Sequence, residues 1–259
     1  AHNDLAKVEK DIQNIHAFLE KVDAKIIISE QKKEIIVCQK RNDELSSQIE
    51  EPKKHGEKLL EELEGMNVTY PYKEAIIPYL RGVDAVASRI GAVNVVHRGK
   101  GYNTDWIGFR DSLCPLLRES DRRALLLGTG GVSKAIQYAL MDLGIEFTLV
   151  SRGKPTPILS LEGRVLSSET VIGYEEVDEW VLAEHQIIVN CTPLGMHPYE
   201  NELPDIPYGY LTSNHLLYDC IYNPERTLFL QKGKEMGCRI KNGLEMLHLQ
   251  ADNAWLIWK

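Results

Sequence analysis

Apolar residues near the start of the chain recur three and four positions apart: Leu5, Val8, Ile12, Ile15, Leu19, Val22 and Ile26, with charges between them. That spacing lays one apolar seam along a helix, as in a heptad repeat. Residues 1–50 hold no glycine or proline. The pattern predicts a helical N-terminal segment over 1–53, broken at Ser29–Lys33 and resumed to about Ile49. A helical hairpin, a coiled-coil strand and an amphipathic helix lying on a domain all fit it. The runs Ile26–Ile28 and Ile35–Val37 also read as short strands.

From about His55 the texture changes. Glu57–Glu64 reads as a helix stopped by Gly65, and Asn67–Thr69 as the end of a short strand. Thr69 then caps an expected helix with Pro71 in its first turn, running to about Leu80. Ile90–Val96 is strand-like, and Asn103-Thr104-Asp105 caps a helix through Trp106, Phe109 and Leu113. Next, the apolar run Leu125–Leu127 meets the turn Gly128-Thr129-Gly130-Gly131-Val132-Ser133. A helical stretch, Val132–Leu143, and a second apolar run, Glu146–Val150, follow.

This is a βαβ unit with a phosphate-cradling turn. Gly128 permits the tight turn, Gly130 lets backbone approach a pyrophosphate, and the helix N-terminus offers N–H groups to the anion. Ser133 stands where the usual fingerprint has its third glycine. A purely structural turn, or an S-adenosylmethionine site, uses similar geometry. Further on come a polar stretch from Gly153 to Glu179, a buried strand Gln186–Val189, a strand Leu216–Tyr222 and a helix Leu228–Met236 stopped by Gly237. An aromatic helix, Leu244–Trp258, closes the chain. Strands alternating with helices predict an α/β fold with a parallel sheet and ligands at the strands' C-terminal ends.

Composition narrows the function. The chain has 259 residues and a formal charge of -8, which argues against a nucleic-acid binder. Its five cysteines, Cys38, Cys114, Cys191, Cys220 and Cys238, are widely spaced with no CxxC pair, which fits a reducing cytoplasm. The eight histidines show no ligand spacing, so no metal is expected. No apolar run reaches membrane-spanning length, and the charged start does not read as a signal peptide.

Seven motifs occur in order. They are Gly65-Met66-Asn67-Val68-Thr69-Tyr70-Pro71-Tyr72-Lys73-Glu74, Ile90-Gly91-Ala92-Val93-Asn94, Gly101-Tyr102-Asn103-Thr104-Asp105, the glycine turn, Asn190-Cys191-Thr192-Pro193-Leu194-Gly195-Met196, Tyr222-Asn223-Pro224 and Asn242-Gly243-Leu244-Glu245-Met246. From about Lys54 to Lys259 the chain resembles the shikimate dehydrogenases. The resemblance implies NADP-dependent interconversion of 3-dehydroshikimate and shikimate, in aromatic amino acid and chorismate biosynthesis. It implies two domains: a substrate domain, 54–104 with 238–259, completed by the C-terminal helix, and a Rossmann domain, 105–237.

The family's catalytic pair falls on Lys73 and Asp105, and its substrate contacts on Thr69, Asn94, Tyr222 and Gln250. Lys73 lies in the first turn of an expected helix, where the macrodipole disfavours a cation and lowers its pKa. Asp105 would orient it. A solvated lysine and a capping aspartate are the plain alternative. Gln250, a polar residue in the apolar row Met246–Ala254, would suit a polyhydroxylated acid.

Cofactor preference is also legible. The second Rossmann strand ends in Ser151-Arg152-Gly153-Lys154, where an NAD enzyme carries a carboxylate. Two cations suit a 2′-phosphate, so Ser151, Arg152 and Lys154 favour NADP. With Gly128, Thr129, Gly130, Gly131 and Val132 they make the nucleotide site. Thr192, Leu194, Met196, Gly243 and Met246 match family positions around the nicotinamide.

One departure stands out. The family grips the substrate carboxylate with a Ser-x-Ser pair, and none occurs before Asn67. This leaves room for other readings. One is a catalytically impaired homologue acting as a binding or assembly protein that self-associates through residues 1–50. Another is a quinate/shikimate dehydrogenase. A monomer and a homodimer are both compatible with the sequence.

Overall fold

The computed structural model describes residues 64–153 and 170–259, which fall in one compact unit. The N-terminal seam, most of the expected helix Glu57–Glu64, and Lys154 lie outside the described residues.

Two sheets organise the chain. The smaller contains β1 (Gly65–Asn67), β2 (Gly82–Val83), β3 (Val95–His97) and β4 (Lys100–Tyr102) in the order β1-β3-β4-β2. β3 pairs antiparallel with β1 and β4, while β2 runs parallel to β4. Arg98 and Gly99, with φ of 49° and 77°, form the tight hairpin turn between β3 and β4. Val68, Ala87, Val93 and Val96 are its buried core.

The helix expected from Thr69 to Leu80 does not form. Pro78 has no N–H to bond Glu74 O and its ring would crowd that carbonyl, so an α-helix does not run through it, and the segment resolves into turns. Tyr72 N–H bonds Thr69 O, Ile76 N–H bonds Tyr72 O and Ile77 N–H bonds Glu74 O, and only a 3-10 turn, Ile77–Tyr79, is regular. Ile90–Val96 is likewise not one strand. Helix α1 (Ala85–Ile90) occupies its start. Asp84 caps α1 through Val86 N–H at 2.9 Å, and Gly91, at φ 69°, ends it. Extended chain resumes only at Val95.

The larger sheet is wholly parallel: β5 (Arg123–Leu127), β6 (Glu146–Val150), β7 (Thr170–Ile172), β8 (Ile187–Asn190), β9 (Leu216–Asp219) and β10 (Arg239–Lys241). The order β7-β6-β5-β8-β9-β10 reverses between β5 and β8, the arrangement that opens a crevice at the strands' C-terminal ends. Helices α2 (Asp105–Leu113), α3 (Gly131–Asp142), α4 (Glu179–Glu184) and α5 (Leu228–Glu235) cover it, and α6 (Leu244–Trp258) closes the chain. Period-two alternation sends Ala124 and Leu126 to one face, with Phe109, Ile136 and Tyr218, and Leu125 and Leu127 to the other, with Leu182 and Phe229.

β10 pairs with β9. Residues 239–241, assigned from the sequence to the substrate domain, therefore complete the large sheet before the chain crosses back. α6 then packs along α2. A Cβ on Gly108 would stand 2.6 Å from Met246 O, so only glycine lets the two helices cross this closely. At its far end Trp258 Nε1 donates to Val96 O at 3.1 Å, tying α6 to the small sheet. Among the described residues no helix is long and apolar enough to cross a membrane.

Candidate active site

Short elements converge on one cavity of about 1100 Å³ between the two sheets. The turn after β1 brings Lys73, fixed by the bond from Val93 N–H to its carbonyl. α2 begins at Asp105, whose N–H is held by Asn103 Oδ1 at 3.0 Å, while Asn103 Nδ2 is anchored on Ala92 O. Lys73 Nζ then donates to Asp105 Oδ2 at 2.7 Å, with the two side chains 17% and 7% exposed. The pairing expected from the resemblance is present. Its physical basis differs from the sequence reading, however. Lys73 sits in a turn, not in the first turn of a helix, so no macrodipole acts on it from its own segment.

Asn94 is the hub of this cluster. Its Nδ2 donates toward Thr104 Oγ1 (2.9 Å), Asp105 Oδ1 (3.0 Å) and Gln250 Oε1 (3.1 Å), and its Oδ1 accepts from Thr104 N–H at 2.7 Å. Asp105 therefore has one oxygen on a cation and the other on an amide. Gln250 fixes its own orientation by donating to Leu247 O. Thr69 and Tyr222 also line the cavity, both exposed to it.

The opposite wall is the nucleotide turn. Gly128 has φ 103°, which suits glycine. An added Cβ at Gly130 would meet nothing within 4 Å, so open space lies over the turn. α3 starts there without a side-chain cap, leaving its N-terminus for an anion. These features fit a dinucleotide pyrophosphate. Thr129, Gly131, Val132, Ser151 and Arg152 line the cavity with Gly128 and Gly130, and Thr192, Met196, Gly243 and Met246 line the same cavity. Leu194 does not line it. Its N–H bonds Thr192 Oγ1 and its carbonyl accepts from Asn190, so it shapes the loop from behind.

Some site-building residues gave no sequence signal. Tyr174, from the polar stretch, walls the cavity near Arg152; burial pushes its phenol up to about 12, with Arg152 pulling it down. Asp219 ends β9 with no exposed surface. Asn190 Nδ2 and Ile221 N–H donate to its Oδ1 at 3.1 and 3.0 Å, and Thr227 donates to its Oδ2 at 2.5 Å. Burial nevertheless raises its pKa to about 6. Cys191 and Cys220 also line the cavity; a hydrogen bond with Cys191 and burial push the Cys220 thiol well above its usual range. Buried strand ends carrying polar groups were visible in the sequence, but not which groups would meet. Among the described residues no group of three or more His, Cys, Asp or Glu could hold a metal ion.

A doubly wound parallel sheet, an uncapped glycine turn beside its switch point and a lysine–carboxylate pair across the same cavity define a class: dinucleotide-dependent oxidoreductases of the α/β type. Comparison with known proteins gives the particular family. The family model described as the shikimate dehydrogenase substrate binding domain matches residues 32–96, starting upstream of Lys54. A shikimate dehydrogenase (NADP(+)) of Carboxydothermus hydrogenoformans is 40% identical over 75% of this chain and 71% of its own length. The crystal structure of shikimate dehydrogenase from Aquifex aeolicus superposes with a TM-score of 0.68 at 35% identity, covering 82% of this chain and 77% of that one. That of the Thermus thermophilus enzyme in complex with NADP(H) and shikimate gives 0.65 at 31% identity, covering 78% and 77%. The chain belongs to the shikimate dehydrogenase family.

Proposed function

We propose that the protein interconverts 3-dehydroshikimate and shikimate with NADP, and that Lys73 and Asp105 handle the proton. The observation that carries this is the 2.7 Å Lys73–Asp105 contact on the wall of the cavity that also holds the glycine turn. The cofactor, when bound, supplies or accepts hydride at the substrate carbon. Lys73 stands ready to give a proton to the reacting oxygen or take one from it, and Asp105 holds its ammonium in place. Asn94 keeps Asp105 from rotating away, and its bond to Gln250 aims a second amide at the same space. Gln250, Thr69 and Tyr222 offer groups able to donate and accept, as a ring bearing several hydroxyls requires.

On the nucleotide side, the uncapped N-terminus of α3 would hold the pyrophosphate, and Ser151 and Arg152 would hold the 2′-phosphate that distinguishes NADP from NAD. The reaction serves aromatic amino acid and chorismate biosynthesis. The described cysteines, Cys114, Cys191, Cys220 and Cys238, are free thiols, which supports a reducing, cytoplasmic setting.

The test is spectrophotometric. With shikimate in excess, the wild type should reduce NADP and a Lys73→Ala variant should not. A wild-type rate no greater than that of Lys73→Ala refutes the enzyme reading and leaves a binding or assembly role. Faster turnover of quinate than of shikimate moves the substrate assignment to quinate, whose extra hydroxyl needs room and a partner.

A further inference from the structure

Glu74 follows Lys73 in the turn after β1, and Lys134 lies in the first turn of α3, just past the nucleotide turn. Lys134 Nζ donates to Glu74 Oε2 at 2.6 Å, with the side chains 23% and 47% exposed. Pairs this exposed add little to stability, so the interest lies in what the pair joins. The two turns abut beneath it. A Cβ on Gly131 would stand 3.4 Å from Lys73 Cβ, 3.8 Å from Glu74 Oε1 and 3.9 Å from Ala92 Cβ. Behind them Ile90 at the end of α1, Ala92 in the loop after it and Ala135 of α3 form a buried apolar seam, edged by Trp106 and Tyr138.

Charge gives the pair a second role. Glu74 lines the cavity beside an N-terminus built for an anion, and Lys134 does not. A bare carboxylate there would repel the pyrophosphate, and Lys134 neutralises it.

We propose that Glu74 and Lys134 are a positioning pair, a latch that holds the Lys73 turn against the nucleotide turn and cancels the Glu74 charge where the pyrophosphate binds. This rests on the dinucleotide reading above. The two partners act in opposite directions on binding of NADP alone. Glu74→Gln removes a repelling charge and tightens binding, whereas Lys134→Met uncovers that charge and weakens it. On turnover they act in the same direction, because either change releases the turn that carries Lys73. A pair with only a structural role would not split the two readouts this way.

The experiment combines isothermal titration with NADP and steady-state kinetics with shikimate on the full chain. The proteins are the wild type, Glu74→Gln, Lys134→Met, Lys134→Arg and the Glu74→Gln/Lys134→Met double variant. The expected Kd is about threefold lower in Glu74→Gln and about tenfold higher in Lys134→Met, with kcat down about fivefold to tenfold in both. The double variant should be no slower than the slower single, and Lys134→Arg should stay within about twofold of wild type. Kd values moving in the same direction, or turnover losses that add in the double variant, overturn the latch. Split Kd values in a protein that does not turn over shikimate support the latch and refute the substrate assignment instead.

Discussion

Replacing Asp219 by Asn should make the protein more stable at neutral pH and remove part of its pH dependence. The carboxylate is fully buried, and burial raises its pKa from 3.8 to about 6 despite three donors pulling the other way. Between those values the folded protein holds a proton that the unfolded chain has released. Stability therefore falls as pH rises through that window, and above it the ionised group carries a cost of about 3 kcal/mol relative to a neutral occupant. Asn has the same shape and stays neutral. Its carbonyl can keep the bonds from Asn190 Nδ2 and Ile221 N–H, and its amide can donate to the Thr227 hydroxyl, which reverses. That hydroxyl then loses its acceptor, at a cost of about 1 kcal/mol. The net gain is about 2 kcal/mol at pH 7, changing to a small loss below pH 4. Urea unfolding of both proteins from pH 4 to 8 reads the difference directly. A variant that unfolds at lower urea than the wild type at pH 7, with an unchanged pH slope, would show that the donors make the ionised carboxylate a net stabiliser, and the reasoning would fail.

Other expectations follow from the site. Asn94→Asp places a second carboxylate where an amide now lies 3.0 Å from Asp105; kcat/KM should fall at least tenfold, about 1.4 kcal/mol, and an unchanged value would remove Asn94 from the cluster's function. Arg152→Ala should raise the KM for NADP about tenfold and leave that for NAD nearly unchanged, and equal shifts would rule out the 2′-phosphate contact. Gly243→Ala puts a Cβ 2.2 Å from Cys220 O and 3.2 Å from Asp219 O, both backbone. The start of α6 must lift, costing about 2–3 kcal/mol in chemical denaturation, and a midpoint equal to wild type would contradict that clash.

The four inner strands of the large sheet, β5, β6, β8 and β9, were readable because each is an apolar run closed by a glycine or polar turn, whereas the edge strands β7 (Thr170–Ile172) and β10 (Arg239–Lys241) are short and partly polar and gave no such run. Glu146–Val150 and Leu244–Trp258 match the structure residue for residue. The small sheet was harder. Thr69–Leu80 carries a cap signal and a proline that suit a helix start, but Pro78 cancels them, and a propensity reading that gives weight to the first proline misses the second. Asp84 and Gly91 are a genuine cap pair around α1, hidden by the apolar sequence Ile90–Val96 that follows. Motifs placed Lys73, Asp105 and Asn94 together and the family resemblance added Gln250, yet the hub role of Asn94 rests on partners up to 156 positions away. Glu74–Lys134 and the donors around Asp219 are similar cases. Such pairs depend on how elements pack, which no local pattern encodes.

The contact at Gly108 has a mechanical consequence. With backbone against backbone, α2 and α6 have no play between them, and Asn103 and Trp258 fasten both to the small sheet. Asp105, Asn94 and Gln250 thus belong to one stiff body that also anchors Lys73 through Val93. The same two helices also reach the nucleotide side, because Phe109 and Leu113 of α2 and Met246 of α6 share one buried core with Ala124, Leu126 and Ile136. A side chain at Gly108 would therefore disturb both walls of the cavity at once, although it touches neither.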